Sequence, residues 1–147
     1  MKRLVGALAA LACLLISGGC GINFGGGNGG RIEFGSSFQK TSGQDITIVN
    51  PHSRFHLSQN VAWVAHLSQA AGSRTLTLSI LRHGRRDTPL FGTPITIRHV
   101  NPHWNALASG VPARYFLSLH ATAPGTYILK YSRGSKILAQ GSFKLLP

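Results

Sequence analysis

Residues 125–145 read GTYILKYSRGSKILAQGSFKL. Tyr127, Leu129 and Tyr131 recur at every second position, with Thr126, Ile128 and Lys130 between them. After Arg133-Gly134-Ser135 the period resumes with Ile137, Ala139, Gly141, Phe143 and Leu145. Successive side chains of a strand point to opposite faces, so this spacing predicts two strands, each with one buried face. A short linker containing Gly makes them a hairpin. The same period appears upstream: Leu76, Leu78 and Ile80 alternate with hydroxyl residues, and Tyr115, Leu117 and Leu119 form a further set.

Turn-forming residues separate these runs at Ala71-Gly72-Ser73, His83-Gly84, Gly110-Val111-Pro112 and Pro124-Gly125. The runs predict strands near 31–38, 45–50, 60–68, 74–83, 93–100, 114–120, 125–133 and 136–146. No stretch carries a sustained helical stripe. Seven to eight short strands in one domain over residues 31–147 point to an all-β Greek-key sandwich. Ala123-Pro124-Gly125-Thr126-Tyr127-Ile128-Leu129 resembles the turn and penultimate strand of immunoglobulin-like domains. The resemblance implies a single immunoglobulin-like sandwich and gives Tyr127 the part of a tyrosine corner. No cysteine lies in any predicted strand. Packing of Trp63, Tyr127, Tyr131 and Phe143 therefore has to hold the core without a disulfide.

The first thirty residues read differently. Lys2-Arg3 precedes the uncharged run Leu4–Ile16, and Ser17-Gly18-Gly19 leads into Cys20. A basic start, a short apolar run and small residues make a secretory signal over 1–19. The run is too short to span a bilayer, which takes about 18–20 apolar residues. Ile16-Ser17-Gly18-Gly19-Cys20 resembles the lipobox of bacterial lipoproteins, with Ser17 standing where Leu is usual. The resemblance implies a lipid on Cys20 and an extracytoplasmic domain held at the cell membrane. Simple cleavage would instead leave a secreted soluble protein. Residues 18–30 hold eight of the 18 glycines, so 20–30 is expected to be a flexible tether with a reach on the order of 20 Å.

Charge and histidines bound the chemistry. The 147 residues carry 15 Lys plus Arg against 3 Asp plus Glu, a formal +12. Without Lys2 and Arg3 the balance is +10. Glu33, Asp45 and Asp87 are too few for a carboxylate-rich metal site with a spare acid or base, paired-carboxylate chemistry would need two of the three placed across one cleft, and no Gly-x-Ser-x-Gly occurs. The expectation is a non-enzymatic protein without a cofactor.

Arg82, Arg85 and Arg86, with Arg133 and Lys136 at the last hairpin, are the candidate contacts to an anionic ligand. Outside the membrane that ligand would be lipid headgroups, a wall polymer or a protein partner rather than nucleic acid. The competing reading is metal binding through His52, His56, His99 and His103. Each i, i+4 pair would lie about 13 Å apart along a strand, and no His-x-His or Cys-x-x-Cys occurs. His99 continues the face of Ile95 and Ile97, which predicts a hydrogen-bonded core histidine. A structural accessory domain without a ligand is the third reading.

Overall fold

A computed structural model describes residues 29–41, 45–119 and 124–147. The expected signal peptide, Cys20, most of the tether and His120 lie outside the described residues. The strands are β1 (Gly30–Lys40), β2 (Ile46–Pro51), β3 (Arg54–His56), β4 (Asn60–His66) and β5 (Leu76–Arg82). They continue with β6 (Thr88–Pro89), β7 (Ile95–Ile97), β8 (Ala106–Pro112), β9 (Gly125–Arg133) and β10 (Lys136–Leu146). Among the described residues there is one short helix, α1 (Tyr115–Ser118), which precedes β9.

Hydrogen bonds join the strands in the order β6-β5-β9-β10-β1-β4-β8, with β2 on β1, β3 on β10 and β7 on β5. This continuous sheet folds over on itself at β1. The first residues of β1 run parallel to β10, Gly30 beside Ala139. Residues Arg31–Gly35 pair antiparallel with β4, and Gly35–Lys40 pair with β2. One layer is therefore β1-β4-β8 and the other β5-β9-β10. The chain visits the second layer at β3, beside β10, returns to the first at β4, crosses to the second at β5, returns at β8 and crosses again to β9. That crossing produces the Greek-key wiring of a sandwich.

The core lies between the layers. Val61, Trp63 and Ala65 of β4 face Tyr127, Leu129 and Tyr131 of β9, with Leu76, Leu78 and Ile80 beside them. The Trp63 indole N–H donates to the Tyr131 hydroxyl at 3.1 Å across the layers, with both side chains buried. All four aromatics expected in the core are buried there, and Phe34, Phe55 and Phe116 join them.

Several expectations are corrected. The 114–120 strand is α1: Ala113, Phe116 and Leu119 are buried while Tyr115 and Leu117 are exposed. Burial every third residue belongs to a helical turn, not a strand. The strands missed are the short β3 and β6, and β8, whose ALASGVP sequence has Val111 as its only β-branched residue and no aromatic, and whose Gly110-Val111-Pro112 is strand rather than the expected turn.

In β10 the register shifts between Ile137 and Ala139. Leu138 and Ala139 are both buried and Ile137 is exposed, as a bulge requires. The 93–100 strand shrinks to β7. His99 sits in a turn beyond it at φ 61°, exposed to solvent rather than in the core. The tether boundary moves too. Gly30 is already β-paired, and a Cβ there would collide with the His66 and Leu138 carbonyls.

Burial pushes the Tyr131 hydroxyl above the ordinary tyrosine value of 10.0, and its hydrogen bond from Trp63 partly opposes this. The fold thus favours the neutral phenol. Stability is expected to be fully present below about pH 10 and to fall as pH rises through the raised folded value. Denaturation between pH 8 and 11.5 measures this. Tyr131→Phe should flatten that fall, while costing about 1–3 kcal/mol at pH 8 by leaving the buried Trp63 N–H unpaired. An unchanged alkaline slope in the variant would contradict the assignment.

Candidate functional site

The hairpin between β5 and β6 carries Arg82, Arg85 and Arg86. Its conformation is held locally, since Asp87 Oδ1 lies 2.9 Å from His83 Nδ1 and the His83 N–H donates to the Thr126 carbonyl at 2.8 Å. The Arg82 guanidinium folds back on Gly125, with Nη2 3.5 Å from the Pro124 carbonyl. It also stands close to Tyr127, whose hydroxyl burial pushes up and Arg82 pulls down. Tyr127 itself is fully buried at the start of β9.

Strand register adds two further cations to this end. Lys144 of β10 lies opposite Thr126 of β9, and Arg54 of β3 lies opposite Lys144. Neighbouring strands are about 4.8 Å apart, so Thr126, Lys144 and Arg54 form a short transverse row. Arg82 is opposite Tyr127 on the far side of β9, at the same level. Five cations from three separate parts of the chain therefore meet at one end of the sandwich. Arg54, Arg85, Arg86 and Lys144 are exposed. Among the described residues neither Arg85 nor Arg86 has an ion-pair partner.

Arg133 and Lys136 lie elsewhere. They flank the β9–β10 turn, about 20 Å from Tyr127 along β9. Arg133 Nη1 donates to the Ala71 carbonyl at 2.9 Å, with its guanidinium packed on Gly72. Lys136 Nζ donates to Gln69 Oε1 at 2.9 Å. These two side chains fasten the 69–73 loop to the last hairpin. They do not join the cluster at the other end. Arg54 and Lys144 were absent from the sequence candidates, because residues ninety positions apart share a site only through the parallel β3–β10 pairing.

The acids are dispersed. Glu33 bridges Arg31 at 2.8 Å and His66 at 3.4 Å on the outer face of the other layer. Asp87 is paired with His83, and the Asp45 carbonyl accepts from the Thr41 N–H at 2.9 Å.

Among the described residues the histidines do not converge either. His52 Nδ1 is 2.7 Å from the Asn50 carbonyl, with its ring against Phe55. His56 Nδ1 is 3.0 Å from the Pro147 carbonyl. His103 follows an Asn101 turn in which its backbone N–H donates to Asn101 Oδ1. Among the described residues no three His, Cys, Asp or Glu side chains come together as metal ligands would.

No protein-family model matches the chain, and no curated protein matches it significantly. Among solved structures it is similar to an immunoglobulin-like protein from Pseudomonas aeruginosa. The two share 17% identity at a TM-score of 0.45, over 78% of this chain and 91% of that one.

Proposed function

We propose that the chain is a non-enzymatic binding module of the cell envelope. It is carried on an N-terminal lipid at Cys20 and presents a basic surface to an anionic component outside the cytoplasmic membrane. The observation that supports this reading is the meeting of Arg54, Arg82, Arg85, Arg86 and Lys144 at one end of the sandwich. Three separate stretches of the chain bring these charges to that end, where one anionic surface or polymer can contact several of them together. The lipobox-like Gly18-Gly19-Cys20, the basic excess and the scarcity of acids are consistent with it. No observation favours the histidine metal reading over this one.

Binding of the full chain, carrying Cys20→Ser so that no lipid anchors it, to polyphosphate and to anionic vesicles is the test. Affinity is expected to fall steeply with added salt, because exposed charges are screened within about 8–10 Å. Arg54→Ser with Lys144→Ser should weaken binding roughly thirtyfold, at about 1 kcal/mol for each charge. Arg133→Ser with Lys136→Ser should leave it unchanged. Equal losses from the two pairs would mean that diffuse net charge, not this end, governs binding.

A further inference from the structure

The cationic end also carries exposed apolar side chains. The described residues include six large hydrophobics that are exposed: Phe38, Phe91, Trp104, Tyr115, Leu117 and Ile137. Three of them belong to this end. α1 is seated here, because Phe116 packs 4.9 Å from Phe143 and 6.4 Å from Tyr127. That places Tyr115, 39% exposed, and Leu117, 40% exposed, on its outer side. The segment after β6 returns to the same region: Leu90 N–H donates to the Ile80 carbonyl, and Gly92 backs onto Leu119. Phe91, between them, is 72% exposed. Arg114 begins α1 and is exposed as well.

We propose that this end docks on an anionic lipid bilayer, with Phe91, Tyr115 and Leu117 entering the headgroup region and the surrounding arginines and Lys144 on the lipid phosphates. The proposal rests on the basic-end reading above and names its ligand. A soluble polyanion satisfies the cations but leaves three large apolar groups in water. A bilayer interface accommodates both at once, since apolar groups reach about 5–10 Å into the boundary while cations remain at headgroup level. Tyr suits that level, with an apolar ring and a polar tip.

The full chain carrying Phe91→Trp, with Cys20→Ser to remove the lipid and Trp104→Phe to remove the other exposed indole, tests this on vesicles of brominated phosphatidylcholine, with and without phosphatidylglycerol. The indole introduced at position 91 should be quenched on the anionic vesicles only. High salt, or Arg82→Ser, Arg85→Ser and Arg86→Ser together, should abolish the quenching. Phe91→Ser with Leu117→Ser should weaken vesicle binding about tenfold or more, from the lost apolar burial, without changing polyphosphate binding. Both positions are exposed, so an unchanged circular dichroism spectrum is expected to confirm folding. No quenching on anionic vesicles, with polyphosphate binding intact, would overturn the bilayer inference and leave the basic-end reading standing. Equal quenching on neutral vesicles would overturn it too. Loss of both vesicle and polyphosphate binding in the parent chain would remove both.

Discussion

Phe143→Ala is expected to destabilise the domain by about 3–5 kcal/mol, the range for a fully buried aromatic cut back to a methyl group. Phe143 is 1% exposed and stands among four rings. Its centroid is 5.2 Å from Phe34, 6.0 Å from Phe55, 4.9 Å from Phe116 and 5.8 Å from Tyr127. These rings come from β1, β3, α1 and β9, so the cavity would open where both layers and the helix meet. Rigid rings fixed by strand pairing cannot collapse far into it. Typical domains have only about 5–15 kcal/mol of total stability, so a large part of the fold's margin would be lost. Urea denaturation of parent and variant measures the difference. Phe143→Leu, which keeps most of the volume, should lose much less. A loss under about 1 kcal/mol for the alanine variant would show that this cluster does not organise the core.

Gly30→Ala should be similarly damaging, at or above the roughly 1–3 kcal/mol typical of overpacking. A Cβ at residue 30 would strike the carbonyls of His66 and Leu138 and come within 2.6 Å of the Ser68 nitrogen. All three are backbone atoms. Ser68 N–H also donates to that Leu138 carbonyl at 2.8 Å, so moving either group away costs a hydrogen bond. The seam between the two layers runs here, where β1 leaves β10 and continues along β4. If Gly30 were tether, the substitution would be neutral. Thermal denaturation of the variant separates these outcomes, and Gly29→Ala, one residue before the strand, is the matched control.

These predictions show where a linear reading holds. Tyr127, Leu129 and Tyr131, or Leu76, Leu78 and Ile80, expose their strand state locally, because a half-buried strand needs nothing more than alternation. The β9–β10 hairpin follows from Gly134 at φ 57° between two such runs. The cationic β5–β6 hairpin is legible for the same reason: its charges and its turn are contiguous. Alternation fails where one residue is inserted or where packing overrides it. The bulge at Ile137–Ala139 reverses the facing of one side chain. Phe116 turns a short apolar run into a helical plug, because the ring fits between Tyr127 and Phe143.

Local sequence was thus enough for the all-β class, most strands, the core aromatics and the basic excess, since periodicity and composition are properties of neighbouring residues. Long-range pairing supplied the rest. The join at β1 turns Gly30 from spacer into packing residue. The parallel β3–β10 contact brings Arg54 to Lys144, and the ends of β9 keep Arg133 and Lys136 away from Arg82. Register between distant strands depends on how whole faces fit together, so which cations share an end of the sandwich was decided only when the layers closed.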